Sequence, residues 1–215
     1  MKPVYLRLSR PSGKLSAGAS RFWGNPDLPS GCAYPSYLDD EGTEFPYFFI
    51  CQINLSELAP YDTDNLLPHS GLLSFFAKID SYIGYYDRPG CIGGAVSGSD
   101  DVRVMYFPSC TDLEETVPED GEDSPSAPAE LRIGFSFDLP PAEDEHAVFA
   151  LPTHRPWEDW DSPFEGWHIL LQVDSFGGDD FELNFMDTGV LDFLISLSDL
   201  KHCDFSDVRA VVLSS

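Results

Sequence analysis

The chain has 215 residues, and its 37 Asp and Glu residues against 12 Lys and Arg give a formal net charge of −25. This excess of carboxylates repels nucleic acids and anionic lipids, so the composition excludes both as expected partners. The 42% hydrophobic content, with 16 Phe, also excludes a disordered chain, because it supplies the apolar surface that a core needs.

The cysteines and the lengths of the apolar runs indicate the cellular compartment of the protein. The five cysteines are never spaced as C-x-x-C, which argues against a disulfide framework or a zinc knuckle and predicts reduced thiols. No run reaches the ~18 apolar residues of a transmembrane helix, and residues 1–7 lack the pattern of a signal peptide. We therefore expect a cytoplasmic protein that does not bind a membrane.

The first half begins with loops and then gives buried strands. Residues 1–45 are rich in Pro, Gly and Ser, and residues 22–31 form consecutive turn signals, so we predict an ordered loop anchored by Phe22 and Trp23. Residues 47–55 are almost continuously apolar, which is typical of a central strand covered on both faces. Cys51 lies in this run and is expected to pack in the core.

Two further strands precede a change of composition. Residues 72–79 predict a second buried strand, and residues 101–107 alternate polar and apolar side chains as a half-exposed strand does. Residues 111–130 contain eight acidic residues and three prolines, with almost nothing to bury. We expect this segment to be a mobile surface insertion that is dispensable for folding.

The second half supplies the remaining predicted elements. A loop rich in Trp, Pro and acids covers residues 154–166, and Gly177–Asp180 is a turn of the kind that closes a hairpin. The predicted strands of this half are 132–138, 167–174, 181–185, 190–195 and 208–213. Two short helices are predicted at Leu55–Leu58 and Leu197–Leu200, with Ser56 and Ser198 as candidate N-caps.

One pattern occurs in both halves. An apolar strand with a single Gln is followed by an apolar strand that Gly introduces; the Gln positions differ by 172 − 52 = 120 and the Gly positions by 189 − 71 = 118. The short helices follow different strands in the two halves, so coincidence is the alternative explanation. We predict one α+β domain over residues 1–215, mainly antiparallel β-sheet with short helices and an internal pseudo-twofold repeat whose halves are about 20–110 and 131–215.

Several segments in consistent order resemble the YwqG-like family, whose members have no accepted activity or cofactor. The chain departs from the family pattern at Trp23, where a second Gly is usual, and at residues 185–187, where Phe-Met-Asp replaces Trp-Gly-Asp. Those changes put in doubt any site that the family places there. The resemblance implies an antiparallel α+β fold with internal quasi-repetition. It also implies a genomic context, since some members of the family are encoded near secreted-toxin and immunity genes. The segments that carry the resemblance are Ser20–Pro29, Phe49–Leu58, Leu67–Phe76, Leu171–Ser175, Asp187–Gly189, Phe193–Ile195 and Asp199–Ser206.

Gln52 and Gln172 are the first candidate ligand-binding residues, together with Asp174. A buried amide must find partners, because an unmet polar group costs about 1–3 kcal/mol. A matched pair of amides near a pseudo-twofold axis is therefore a candidate site for a small molecule or carbohydrate between the two repeats. The alternative is that each Gln braces a neighbouring loop through its backbone, which is the usual role of buried amides.

The sequence predicts no metal, no cofactor and no catalytic residues. The carboxylates at 174, 179, 180 and 182 are oxygen ligands of the kind that Ca²⁺ prefers, but their spacing is not that of an EF-hand and a solvated acidic hairpin is the alternative. The five histidines show no zinc-hydrolase spacing, and no nucleophile elbow or phosphate-binding loop occurs. Cys91 with a distant His follows no spacing rule for a nucleophile.

Trp157, Trp160 and Phe164 are the candidate protein-interaction residues. They lie among Asp and Glu, and aromatic faces combined with carboxylates bind cations and basic peptides. The alternative is that the rings cover the sheet, since large aromatic side chains are mostly buried.

These observations favour a non-enzymatic, acidic protein-interaction module, with an immunity-type inhibitor of a basic toxin as its specific form. The alternative function is a small-molecule or carbohydrate-binding domain. The acidity is itself open to a second interpretation, since a large net charge also keeps proteins soluble.

Overall fold

The computed structural model describes residues 1–79, 91–118, 127–139, 145–153 and 165–214. The helices are α1 (Leu55–Leu58) and α2 (Leu197–His202), and a single 3-10 turn spans Ser99–Asp101. No helix among the described residues is long and apolar enough to cross a membrane. The strands, in chain order, are β1 (Val4–Ser9), β2 (Arg21–Phe22), β3 (Asp27–Pro29), β4 (Ser36–Leu38), β5 (Glu44–Pro46), β6 (Phe48–Asn54), β7 (Leu72–Ala77), β8 (Val102–Phe107), β9 (Leu113–Glu115), β10 (Leu131–Ser136), β11 (Ala147–Val148), β12 (Trp167–Asp174), β13 (Phe176–Gly177), β14 (Glu182–Leu183), β15 (Val190–Ser196) and β16 (Arg209–Leu213).

Ten strands form one antiparallel sheet in the order β16-β15-β12-β11-β1-β10-β2-β6-β7-β8. The prediction of a mainly antiparallel sheet with short helices is confirmed. The pair at its centre, β1 and β10, includes a strand that the sequence did not predict, because residues 1–45 were expected to be loop. The β1 strand alternates apolar Val4, Leu6 and Leu8 with Tyr5, Arg7 and Ser9, as a half-exposed strand does, but it lies in a segment whose Pro, Gly and Ser content favoured a loop. It pairs with β10 and β11.

Both predicted helices are present, but their predicted caps are wrong. The N-cap of α1 is Asn54, whose side-chain oxygen accepts the N–H of Ser56 at 3.0 Å. The N-cap of α2 is Ser196, whose hydroxyl oxygen accepts the N–H of Asp199 at 3.0 Å. In each case the cap is the last extended residue of the preceding strand, because an N-cap needs non-helical backbone angles.

The sheet curls until its two edge strands almost meet. Between the edges runs the segment 93–101, where Ser97 donates its backbone N–H to the carbonyl of Ala210 in β16 at 2.8 Å. The carbonyl of Gly93 accepts the N–H of Val212 in β16 at 3.0 Å, and the same segment runs directly into β8 at Val102. These bonds cover much of the edge that an open sheet would expose, and the result is a nearly closed barrel.

The main core lies inside this barrel. Phe75 on β7 and Phe193 on β15 are fully buried, and their rings meet edge to face with centroids 5.3 Å apart. The two strands lie towards opposite ends of the strand order, so their side chains touch only because the sheet closes around them. Cys51 belongs to the same core, as predicted, and burial raises the pKa of its thiol far above the ordinary range.

The acidic segment 111–130 has ordered pairing at both of its described ends. Leu113–Glu115 forms strand β9 against β3, and Glu130 accepts a hydrogen bond from the guanidinium of Arg21 at 3.1 Å. The expectation that this segment has nothing to pack is therefore wrong for those ends, because its few apolar and acidic side chains find partners in the loop before β6. Residues 119–126 lie outside the described residues.

Strands of the two predicted halves occupy matching places on either side of the β1–β10 pair. Outward from the centre come β2, β6, β7 and β8 on one side and β11, β12, β15 and β16 on the other. Gln52 pairs with Ser74 of β7, Gln172 pairs with Asp192 of β15, and each of these strand pairs has a register shift centred two residues before its Gln. The pseudo-twofold repeat itself stays a prediction.

Gly71 and Gly189 introduce the two strands that follow the Gln strands, and both allow a close approach of backbone. A Cβ at Gly71 would lie 2.3 Å from the carbonyl oxygen of Phe107, and one at Gly189 would lie 2.1 Å from that of Leu213. Gly71 also has a φ of +96°. These glycines let the edge strands β8 and β16 pack against the sheet without collision.

We expect G71A and G189A each to lower the free energy of unfolding by about 1–3 kcal/mol or more, the usual cost of forcing atoms into a packed site. Gly134→Ala is the matched control, since its Cβ would meet nothing closer than 3.8 Å. Urea unfolding followed by circular dichroism measures the three variants against the natural chain. Equal stabilities for all three would contradict the close approach described for the two edges.

Candidate functional site

Gln52 lies in the middle of β6, fully buried, and all of its amide is bonded to the loop before it. Its side-chain oxygen accepts the backbone N–H of Asp27 at 2.8 Å. Its side-chain nitrogen donates to the carbonyl of Ala19 at 2.9 Å and to the carboxylate of Asp27 at 2.6 Å. These contacts are those of a bracing amide, the alternative that the sequence left open.

Gln172 on β12 makes the corresponding contacts in the second half. Its nitrogen donates to the carbonyl of Glu145 at 3.0 Å, and its oxygen accepts the hydroxyl of Thr153 at 3.1 Å. Asp174, two residues further on, accepts the backbone N–H of Glu145 at 2.9 Å. The two candidate residues of this half therefore fasten the segment that leads into β11.

The structure does not bring Gln52 and Gln172 into one site. Each lies between two residues of the main core, so its side chain faces the outside of the barrel, and the strands β2, β10, β1 and β11 separate β6 from β12. Four intervening strands correspond to roughly 24 Å along the sheet, at about 4.8 Å per strand. One small molecule cannot contact both amides.

Beside Gln52 lies a buried charge network. The guanidinium of Arg21 donates to the Asp27 carboxylate at 2.5 Å and to the Glu130 carboxylate at 3.1 Å. Asp27 also accepts the N–H of Gly18 at 2.8 Å. A buried ion pair of this kind is costly to break by removing one partner, because the charge left behind has no solvation. Its position under the loops makes it a brace.

Asp192, opposite Gln172 on β15, is a buried carboxyl without a partner. It is fully inaccessible, and neither oxygen has a hydrogen-bond partner within the described parts of the chain. Burial therefore raises the pKa of Asp192 well above its ordinary value, since the charged form loses its hydration. The neutral acid is the form that this packing favours.

His146 is the second buried titratable group, and it stays neutral. Its Nδ1 accepts the backbone N–H of Asp174 at 3.0 Å, which places the proton on Nε2. The ring packs between Phe22 and Phe176, and burial lowers the pKa of His146 to about 3. A neutral histidine held in this way ties strand β12 to the segment before β11.

A cleft near the end of β1 combines charged side chains with an apolar floor. Its volume is about 300 Å³, and a smaller cavity of about 180 Å³ adjoins it. The two share Arg10, Leu131, Gly178 and Asp179, so they form one groove that the ion pair between Arg10 and Asp179 crosses. We call it the Trp23 cleft; its lining residues are Arg10, Pro11, Gly13, Trp23, Ala129, Glu130, Leu131, Gly178, Asp179 and Asp180.

Trp23 forms the floor of this cleft in a strained conformation. Its φ is +61°, in the left-handed region that is costly for a bulky residue. The ring contacts Phe176 and Phe181, and the hairpin turn lies so close above it that a Cβ at Gly178 would be 2.5 Å from a ring carbon. Met186, the other position where the family resemblance expects Gly, also has a positive φ, of 55°.

The carboxylates of the β13–β14 hairpin do not converge as a metal site. Asp179 pairs with Arg10, Asp180 accepts the N–H of Ala129 at 3.0 Å, and Asp174 faces the segment before β11. Across the described ranges, no group of three or more His, Cys, Asp or Glu side chains is arranged to hold a metal ion. The calcium interpretation has no support from this geometry.

The remaining predicted site residues, Trp157, Trp160 and Phe164, lie outside the described residues. Sequence reasoning missed the Trp23 cleft, because its lining comes from four separate segments that only the fold brings together. The available signals were Trp23, predicted as a loop anchor, and the acidic turn at 177–180. No spacing rule connects the two.

We expect Q52L to destabilise the protein more than Q172L. Q52L leaves the N–H of Asp27, the carbonyl of Ala19 and one bond of the Asp27 carboxylate unmet, at about 1–3 kcal/mol for each buried group. Q172L removes one bond to a carbonyl and one bond to a hydroxyl, both in a partly exposed segment. Urea unfolding of both variants measures the difference, and a cost near zero for Q52L would contradict the bracing role.

We expect D192N to become more stable relative to the natural chain as pH rises. Above the ordinary carboxyl pKa of about 4, the unfolded chain releases a proton that buried Asp192 retains, so its contribution to the free energy of unfolding falls until the raised pKa is reached. Asn does not titrate, so the stability of D192N does not fall in this way as pH rises. Urea unfolding between about pH 4 and 7 tests it, with exposed Asp187→Asn as the matched control. Parallel stability curves for D192N and the natural chain would contradict the buried, unpartnered state.

Comparison with known proteins gives a family and no function. No curated protein matches the chain. A family model described as a domain of unknown function, DUF1963, matches residues 20–148 and 138–212, which together cover most of the sequence. The chain belongs to the DUF1963 family of domains of unknown function.

Proposed function

We propose that this domain is a non-enzymatic, acidic protein-interaction module whose partner is a basic protein. An immunity-type inhibitor that covers a basic toxin is the specific form of this proposal. Within the DUF1963 family we assign the chain to the YwqG-like group, as a single domain that works in the cytoplasm. The observation that carries the proposal is the uncompensated negative charge of the chain, −25 in 215 residues.

The positive side chains do little to offset this charge at the surface. Several of them are already bonded to carboxylates, and the other carboxylates of the described residues are at least partly exposed, except for buried Asp62 and Asp192. Long-range fields of this kind steer an oppositely charged partner and raise its association rate. The cations bonded to carboxylates are Arg10, Lys14, Arg21, Lys78 and Arg209.

The β4–β5 hairpin is the described surface that best suits such a partner. Between Arg21 and Lys78 the chain has eight carboxylic acids and no Lys or Arg, and half of those acids lie at this hairpin. Leu38 is 66% exposed and Phe45 is 42% exposed on it. Exposed apolar side chains beside carboxylates are typical of an interface that binds a basic, partly apolar surface. The four acids are Asp39, Asp40, Glu41 and Glu44.

The segment that carries Trp157, Trp160 and Phe164 belongs to the same proposal. It precedes β12 in the chain as the β4–β5 hairpin precedes β6, and both segments combine aromatic rings with acids. We propose that the two act as a pair of acidic, aromatic docking segments.

We also propose that the two halves are related by an approximate twofold axis. Matching hydrogen bonds support this relation. Trp23 donates its N–H to Ile50 at 3.0 Å and Phe149 donates to Leu170 at 3.1 Å, and both donors have positive φ. Superposing residues 48–76 on 168–194 in an experimental structure tests the proposal, and unrelated backbone paths would reduce the sequence pattern to coincidence.

A second candidate function is binding of a small molecule or carbohydrate. Gln52 and Gln172 do not support it, because their amides are bonded to loops on separate sides of the barrel. The Trp23 cleft favours it, since a concave site with an apolar floor and polar rim is the usual form of a ligand pocket.

We expect the partner to be basic and its affinity to fall steeply with salt. Exposed charges are screened beyond about 8–10 Å at 0.1–0.15 M ionic strength. The full chain is used to capture partners from its host lysate, and mass spectrometry identifies them. Calorimetry at about 0.05 and 0.5 M salt then measures the dissociation constant of each purified partner.

Two variants sharpen this test. F45A should weaken binding more than E41Q, because buried aromatic side chains dominate interface energy and rim charges mainly tune association rates. V117A, which truncates an exposed apolar side chain elsewhere, is the control. Binding that ignores salt, or capture of a small metabolite alone, would contradict the proposed function.

A further inference from the structure

We propose that the Trp23 cleft binds an Arg or Lys side chain, with its adjoining peptide group, from the basic partner, and that Arg10 occupies the place of that side chain in the free protein. This inference rests on the proposed function and deepens it. It assigns a ligand chemistry to a cleft distinct from the β4–β5 hairpin.

The rim of the cleft selects for a cation. Asp179, Asp180 and Glu130 line it, and Arg10 is the one basic residue among its lining residues. The rim therefore keeps an excess of negative charge even with the Arg10–Asp179 ion pair formed. A second cation entering the cleft meets carboxylates on both sides of the groove.

The ion pair between Arg10 and Asp179 spans the groove and contributes little stability. The Arg10 side chain is 74% exposed and that of Asp179 is 60% exposed, so water competes for both charges. Exposed pairs of this kind contribute roughly 0.2–1 kcal/mol. A ligand that brings its own guanidinium or ammonium and gains further contacts displaces Arg10 at little cost.

Trp23, one of the lining residues of the cleft, carries a buried hydrogen-bond donor that the described residues leave without an acceptor. Only 1% of the Trp23 surface is exposed, and its Nε1–H has no hydrogen-bond partner in any described segment. An unmet buried donor costs about 1–3 kcal/mol. A peptide carbonyl next to a basic side chain supplies the missing acceptor, which a bare metal ion does not.

The carboxylates are held in position before any ligand arrives. Asp180 accepts the N–H of Ala129 at 3.0 Å, and Glu130 accepts the N–H of Leu15 at 2.7 Å as well as the Arg21 guanidinium. Gly178 is needed for the turn to lie against Trp23. Binding then requires release of Arg10 and a local movement that opens the buried Trp23 Nε1–H to the ligand, while the carboxylates stay in place, which limits its entropic cost.

The test uses the full chain and N-acetyl-arginine amide as the probe, with N-acetyl-glutamine amide as the uncharged control. The four Trp indole signals in ¹H–¹⁵N NMR spectra are assigned by triple-resonance experiments, so no substitution of buried Trp23 is needed. We expect the arginine amide to shift the Trp23 indole signal and the glutamine amide to leave it in place.

The variants separate displacement from simple charge. R10Q should bind the arginine amide up to about fivefold more tightly, which corresponds to losing an internal competitor worth at most about 1 kcal/mol. The double variant D179N/D180N should bind it severalfold more weakly. The double variant E57Q/D187N, which removes the same charge from exposed positions outside both the cleft and the β4–β5 hairpin, should bind it as the natural chain does.

An unmoved Trp23 signal in both the natural chain and R10Q, or equal shifts with the two amides, would overturn the inference. A neutral hexose that shifts the signal where the arginine amide does not would overturn it in favour of carbohydrate binding. If a salt-sensitive basic partner binds D179N/D180N unchanged, the cleft assignment fails and the interaction module stands. If no basic partner binds but the arginine amide does, the proposed function fails and the cleft's cation preference stands.

Discussion

The need to satisfy polar groups on the outer face of the barrel determines how the loops of this protein are held. Strands β2 and β11 have only two residues each, too few to fix a loop by ladder bonds alone. Gln52 and Gln172 compensate, since each reaches from a long, buried strand to the backbone just before a short one. The loops are therefore held against the sheet by hydrogen bonds, which also fixes the surfaces that they present to solvent.

The two sides of the barrel meet this need with different chemistry. Around Gln52 the polar atoms end in the Arg21–Asp27 ion pair, which neutralises the buried charge. On the other side the described residues give Asp192 no hydrogen-bond partner, and its burial favours the neutral acid. The first arrangement fixes the geometry of the loop, whereas the second couples stability to pH.

The sequence predicted the parts of the fold that repeat a simple pattern. Strands β6, β7, β12 and β15 are nearly continuous apolar runs, and their burial follows from composition alone. Strand β1 alternates apolar and polar residues, but it was missed because it lies in a segment rich in turn-forming residues and its partners, β10 and β11, lie more than 120 residues away. The glutamines were recognised as notable, but only the structure reveals their loop partners. The Trp23 cleft depends on tertiary proximity of short segments, which no local pattern encodes.

The proposed binding of a basic protein is tested most directly by locating where that protein contacts this acidic surface. Hydrogen exchange measured by mass spectrometry, with and without a captured basic partner, locates that contact on the intact chain. We expect slower exchange confined to the β4–β5 hairpin, the Trp-rich segment 154–164 before β12 and the segments that line the Trp23 cleft. Protection elsewhere on the barrel, with these segments unchanged, would contradict it.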